Sequence, residues 1–349
     1  MSSLFEPLQL GTLTLKNRVL MAPLTRCRAS EGRVPNALMA EYYRQRASAG
    51  LILSEATSIN PMGVGYPDTP GIWNTQQVEG WRLVTDAVHQ AQGLIFCQLW
   101  HVGRVSAPLY LNGQLPVSAS AVRSAGHVSL VRPPQEYVTP RALTLDEIAQ
   151  TIADYRQAAV NAKAAGFDGV HLHAANGYLI DQFLQDKTNQ RDDDYGGSIE
   201  NRARFLLAIV DACIEVWEPS RVAVHLAPRM DAHDMGDSNA KALFGYVAAA
   251  LRKRHIGFIS TREYAADDSL TPFLKQQFQG IVVANERFDK AQAQQWLAEG
   301  NADAIAFGVP FIANPDLPAR LYTDAPLNPP HKALFYGQGA AGYTDYPCM

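Results

Sequence analysis

Eight short apolar runs recur along the chain, and each is followed by a stretch of helical character. They are Arg18–Ala22 (RVLMA), Leu51–Glu55 (LILSE), Leu94–Leu99 (LIFCQL), Val170–His173 (VHLH), Val222–Leu226 (VAVHL), Gly257–Ser260 (GFIS), Ile281–Val283 (IVV) and Ala304–Phe307 (AIAF). Continuous apolar runs of this length suit parallel strands buried on both faces. Amphipathic helices lie between them, such as Leu145–Ala164 and Glu200–Val216. Thr144 stands at an N-cap position, and Glu147 three residues on completes a capping box. Eight strand–helix units predict an α/β chain folded as a (β/α)8 TIM barrel rather than an open doubly wound sheet. No Gly-rich dinucleotide fingerprint follows the first strand, which counts against the open sheet.

The third-to-fourth gap is longer than one strand–helix unit. Its excess, about Gly103–Arg141, is rich in Pro, Ser, Gly and Val and predicts a lid at the barrel top, built as a small β-hairpin. The tail Asn328–Met349 is rich in Gly, Pro and Tyr without helical period and predicts an ordered extension of a single 349-residue domain. Charged residues are 18% of the chain, below the roughly 25% of an average soluble protein, as a large interior requires. A net charge of −4 argues against a nucleic-acid partner. Cys27, Cys97, Cys213 and Cys348 are too far apart for a zinc knuckle or a redox pair, and a disulfide framework is not expected at this size. The opening MSSLFEPLQLG has neither the basic nor the apolar region of a secretory signal, and no run approaches the ~18 apolar residues of a membrane span. A cytoplasmic protein without a membrane is therefore expected, as a monomer or weak homodimer.

In such a barrel the loops at the strand C-termini build the active site. Those ends carry Thr25, Ala56, Gln98, then His173, Asn176 and Tyr178, followed by His225, Arg262, Asn285, Glu286 and Arg287, and finally Gly308 and Val309. No Ser–His–Asp order and no pair of carboxylates at adjacent strand ends is present. A His, an Asn and a Tyr within six residues can instead bind an oxygen and deliver a proton. Two plainer readings stay open. His173 and Asn176 can simply satisfy loop backbone. His171 and His173, two residues apart on one strand face, can join His225 and Asp231 or Asp234 around a metal, although no third ligand has a convincing position.

The stretch His173–Phe205 (HAANGYLIDQFLQDKTNQRDDDYGGSIENRARF) closely resembles the Old Yellow Enzyme family of flavin-dependent ene-reductases. So do Asn17–Ala29 (NRVLMAPLTRCRA), Ser54–Ile59 (SEATSI), Phe96–Arg104 (FCQLWHVGR), Ala306–Leu321 (AFGVPFIANPDLPARL) and Gly342–Pro347 (GYTDYP). Within the family the chain looks most like the xenobiotic reductase and N-ethylmaleimide reductase branch. The resemblance implies non-covalent FMN, recharged by NADPH or NADH, and reduction of activated C=C bonds in enones and maleimides, with nitro compounds or nitrate esters as further substrates. Thr25, beside Pro23 and Leu24, matches the residue at the flavin O4 edge. Ala56 leaves room beside the ring, and Gln98 matches the side chain that bonds its pyrimidine. His173 and Asn176 match the pair that binds the substrate oxygen, and Tyr178 the proton donor. Tyr66, Trp100 and Tyr343 match aromatic walls of the substrate pocket. No metal is implied.

Several positions depart from the commonest family pattern. His225 replaces an Arg near flavin N1 and O2, and the negative charge of reduced flavin is expected to raise the pKa of a His there, so that the flavin potential falls more steeply with pH between about pH 6 and 8. Glu286 and Arg287 stand where a Gly meets the FMN phosphate, Val309 stands for an Arg, and His171 for a Glu. Arg287 is expected to face the phosphate with Asn285 while Glu286 points away; the alternative pairs Arg287 with Asp289. Arg229 and Arg262 are the next candidates. The altered phosphate end also motivates a different expectation, a non-redox barrel that has lost FMN.

Overall fold

The structure, a computed structural model, describes residues 3–349. Eight parallel strands close on themselves: β1 Val19–Met21, β2 Ile52–Leu53, β3 Ile95–Trp100, β4 Gly169–Ala174, β5 Val222–Leu226, β6 Phe258–Arg262, β7 Ile281–Asn285 and β8 Ala304–Phe307. The ladder runs in chain order, and β8 pairs with β1 to complete the barrel. Each strand falls within two residues of its expected run. The helix Leu145–Ala164 forms over its expected span, with Thr144 and Glu147 exchanging both bonds of the capping box. Glu200–Val216 is displaced slightly, to Ile199–Ile214, because Ser198 caps it.

Side chains alternate across each strand, so one set faces the helices and the other fills the barrel. The outward set includes Val19, Cys97, Leu172, Val224, Ile259 and Ile305, packed in one core with the surrounding helices. The inward set is layered. Leu20, Leu53, Phe96, Ala223, Phe258, Val283 and Ala304 form a separate apolar cluster. A two-stranded antiparallel turn, Leu8–Leu10 with Leu13–Leu15, seals it by adding Leu10 and Leu15. Above that layer the inward positions turn polar: Gln98, His171, His225 and Ser260, all buried.

The excursion at 103–141 differs from the expected hairpin. Its two ends, Val117–Ser118 and Arg141–Ala142, pair in parallel, and only His127 and Glu136 bridge antiparallel near its tip. The physical reason is anchoring at the base. Arg191 donates to the carbonyls of Ala119 and Leu143 (2.9 and 2.8 Å), and Ser118 donates to Gln182 (2.9 Å), so both ends leave the barrel in one direction. The tail is held by arginines of the first strand–helix unit. Arg26 and Arg28 donate to the carbonyls of Leu334, Phe335, Ala341 and Gly342, and Arg46 to those of Phe311 and Ile312. No helix among the described residues is long and apolar enough to cross a membrane.

Candidate active site

A cavity of about 930 Å³ opens at the C-terminal ends of the strands. Its wall contains Pro23, Leu24, Thr25, Ala56, Gln98, Trp100, His173, Asn176, Tyr178, His225, Asn285, Arg287, Gly308 and Val309. These residues come from strand ends that run from Pro23 to Val309, 286 positions apart in sequence. Strand register explains why they meet: His173 pairs with His225, His225 with Ser260, and Arg262 with Asn285.

The polar layer beneath the cavity is a connected hydrogen-bonded group. The Gln98 amide nitrogen lies 3.1 Å from His171 Nδ1 and 3.5 Å from His225 Nδ1. An amide nitrogen only donates, so His171 accepts at Nδ1 and carries its hydrogen on Nε2, which lies 2.8 Å from Ser260 Oγ. Both His171 nitrogens are thereby spent. Among the described residues no group of three His, Cys, Asp or Glu side chains is arranged to hold a metal ion. His171 stacks on His225 with ring centroids 5.4 Å apart, and His225 lies 5.0 Å from His173. Burial drives all three below the ordinary histidine range, His171 to about 3. Each neighbour and the Arg262 guanidinium push His173 and His225 further down. Burial and these neighbours disfavour the charged form of His225, and a negative charge on reduced flavin would have to work against them.

His173 Nδ1 is buried and has no hydrogen-bond partner among the described residues. Asn176 follows in a left-handed turn (φ 58°), its carbonyl 2.7 Å from His233 Nδ1 and its Oδ1 accepting from Arg262 Nη1 at 3.1 Å. Tyr178 stands edge-on to both His173 (4.8 Å) and Trp100 (5.1 Å). Burial, and a hydrogen bond to Tyr66, hold the Tyr178 phenol well above its usual pKa. Tyr66 packs on Trp100 and edge-on to Tyr178, and is not among the residues that line the cavity. Gln182 was not singled out from the sequence. It joins the turn to the excursion by donating to the Val102 and Gly177 carbonyls and accepting from the Arg104 amide.

Two sequence expectations fail at the rim. Tyr343 does not line the cavity. It is fully buried, stacked at 4.1 Å on Tyr42, with Arg26 and Arg28 over its ring, because the arginines that clamp the tail draw it into the core. Lys332, Phe335 and Tyr336 of the same tail take the place at the wall. Glu286 does not point away: its carboxylate lines the cavity and accepts from Arg262 Nε at 2.6 Å. It holds φ at 119°, a conformation natural to Gly and costing another residue about 1–3 kcal/mol. Arg287 reaches the wall but is 74% exposed, lying 4.7 Å over the Tyr264 ring. Asp289 is not its partner and instead caps the helix Lys290–Ala298. Arg229 is committed to Glu263 and Asp268, away from the cavity.

The family model for NADH:flavin oxidoreductase / NADH oxidase matches residues 3–328. The chain is 45% identical to 12-oxophytodienoate reductase 1 of Oryza sativa subsp. japonica, covering 99% of this chain and 93% of the relative. It is 42% identical to a probable flavin mononucleotide-dependent alkene reductase of Leishmania infantum, over 99% and 97%. The old yellow enzyme homologue from Zymomonas mobilis superposes with a TM-score of 0.97 at 46% identity, over 99% and 100% of the two chains. Morphinone reductase in complex with tetrahydroNAD superposes with a TM-score of 0.96 at 48% identity, over 100% and 98%. With this agreement along its whole length, and with a polar cavity at the barrel end where such enzymes work, the chain belongs to the NADH:flavin oxidoreductase / NADH oxidase family, the group of the old yellow enzymes.

Proposed function

We propose that the chain is an FMN-dependent ene-reductase, using NADPH or NADH to reduce enones and maleimides and, at the same site, nitro compounds. The observation that carries this reading is the convergence of His173, Asn176 and Tyr178 on one cavity beside a neutral, hydrogen-bonded floor.

The residues fit FMN. The uncommitted His173 Nδ1 and Trp100 Nε1 are buried polar atoms without partners. Thr25, Gln98 and His225 would meet the flavin's polar edge, and the small Ala56 leaves space for the ring. At the other end Gly308, Val309 and Asn285 would surround the phosphate, with Arg287 and Lys332 as the cations on that wall. When bound, FMN supplies a hydride to the β-carbon of an electron-poor alkene.

His173 and Asn176 receive the carbonyl or nitro oxygen and stabilise the charge that grows on it. A donor placed there is worth roughly 2.7–4 kcal/mol in the transition state. A neutral His173 keeps this task free of a competing titration. Tyr178 presents its phenol from the opposite side and delivers a proton to the α-carbon. Its raised pKa keeps the proton in place until the substrate carbon takes it. Trp100 and Tyr336 give the cavity two aromatic walls. The three buried cysteines suit a reducing, cytoplasmic setting, and the chain is proposed to act alone or as a weak homodimer.

The visible spectrum tests the reading. Purified protein is expected to be yellow, to bleach with NADPH or NADH, and to recover its colour when 2-cyclohexenone or N-ethylmaleimide is added. Protein that stays colourless and binds no added FMN would make this a non-redox barrel.

A further inference from the structure

We infer that Arg262 is a positioning residue for the oxygen-binding pair: forked between Glu286 and Asn176, it fixes the Asn176 amide with its NH2 group toward the bound oxygen. The inference rests on the ene-reductase reading and deepens it.

An Asn side chain can present either end, since its terminal torsion has two broad, nearly equivalent settings. Only the nitrogen end helps an oxygen that is gaining negative charge; the oxygen end repels it. Arg262 removes that ambiguity. Its Nη1 donates to Asn176 Oδ1 at 3.1 Å, which leaves the two Nδ2 hydrogens as the free polarity of the amide. The Asn176 backbone cannot compensate, because its carbonyl is already held 2.7 Å from His233 Nδ1.

Arg262 is itself held. Its Nε donates to Glu286 Oε2 at 2.6 Å, and the pairing of Arg262 with Asn285 sets Glu286 one residue beyond. A planar guanidinium suits this task, having donors on separate edges for two acceptors at once. Glu286 accepts a left-handed backbone to reach it. The three residues thus tie the loops after β4 and β7 through the end of β6. The guanidinium also lies close enough to His173 and His225 to help keep both neutral. Neither Arg262 nor Glu286 is required to touch substrate.

The test uses flavin-loaded protein and Arg262→Met, Arg262→Lys and Glu286→Gln. The probe is 4-nitrophenolate, whose oxygen imitates the charged substrate oxygen, titrated by absorbance at a pH where it is ionised. Arg262→Met is expected to keep its flavin content and melting temperature, to weaken the probe about tenfold or more, and to lower kcat for 2-cyclohexenone. Glu286→Gln should shift both in the same direction, by less. Arg262→Lys keeps the charge without the fork and should restore only part of the binding. In an Asn176→Ala background, Arg262→Met should add little. Unchanged probe affinity in Arg262→Met overturns the inference. So does full rescue by Arg262→Lys, which would make charge alone responsible, or an undiminished effect without Asn176. Failure of the wild-type protein to bind flavin would instead strike at the ene-reductase reading.

Discussion

The phenolic oxygens of Tyr178 and Tyr66 lie 2.8 Å apart, so the proposed proton donor is hydrogen-bonded to a second phenol. Together with burial, that bond holds the Tyr178 proton against loss to solvent. Tyr178→Phe is expected to leave flavin reduction by NADPH or NADH near wild type. Reduction of alkenes should fall by about two to four orders of magnitude, the span usual for a lost general acid. Rapid mixing of the two half-reactions separates the effects, and nitro reduction should fall less because water can supply its protons. An unchanged oxidative half-reaction with simple enones would leave Tyr178 as part of the wall.

Removing one oxygen donor is the next test. His173→Ala should lower ene-reduction by roughly two orders of magnitude and weaken phenolate binding in parallel. Equal phenolate affinity in the two proteins would take His173 out of the oxygen site.

His225 leads to a pH prediction. Burial and the neighbouring His173, His171 and Arg262 hold it well below its ordinary pKa. The neutral form is thereby favoured. The midpoint potential of bound flavin should change with pH along parallel lines in wild type and His225→Arg, with the Arg line offset to higher potential by its fixed charge. A steeper wild-type line would show that reduced flavin restores the proton to His225.

At the proposed phosphate end the cations on the wall, Arg287 and Lys332, are exposed. Because Arg287 is 74% exposed, solvent screens it, and Arg287→Ala alone should loosen FMN only several-fold. Arg287→Ala combined with Lys332→Ala should loosen it by about an order of magnitude or more, read as flavin lost on dilution. Val309→Arg should tighten FMN again in that background, since each charge-assisted hydrogen bond is worth roughly 1.5–3 kcal/mol. Full occupancy in the double variant at low free FMN would place the phosphate elsewhere.

Glu55 is buried beneath the tail clamp, accepting from the Arg26 amide and the Tyr43 hydroxyl. Burial, its largest influence, raises it to about 7 although Arg26 and Arg28 pull it down. A raised carboxyl favours the folded state in its protonated form, so that stabilisation is whole below about pH 4.5 and is lost as pH climbs through 7. Wild type should lose stability relative to Glu55→Gln across that window, by up to about 3 kcal/mol. Denaturant melts at pH 5 and pH 8 measure it; a constant difference would mean that Glu55 stays ionised.

The barrel was legible because its signal is local. A run such as VAVHL at Val222–Leu226 is buried on both faces wherever it sits, and its length alone separates it from a helix. Thr144 and Glu147 were legible for the same reason, since a capping box is completed within four residues. The candidate site was partly legible: His173, Asn176 and Tyr178 share one short motif. Gln98 and His225 could be placed at strand ends, but not in the hydrogen-bonded layer that makes His171 a donor to Ser260.

What the sequence by itself determined is therefore the repeating unit, the polar residues at each strand end and the absence of a charge at Val309. The tertiary structure decided which distant groups meet. Tyr343 was expected at the pocket and lies in the core, because three arginines of the first strand–helix unit bind the tail's carbonyls and turn its rings inward. Glu286 was expected to face away and lies on the cavity wall, because strand pairing sets Arg262 beside it and a half-buried carboxylate gains from a charged partner. His225 could be placed at a strand end, but its lowered pKa follows from burial among rings contributed by a neighbouring strand. Periodicity and caps depend on neighbours a few residues apart, whereas ion pairing, burial and protonation depend on strand register and on where the chain's end is held.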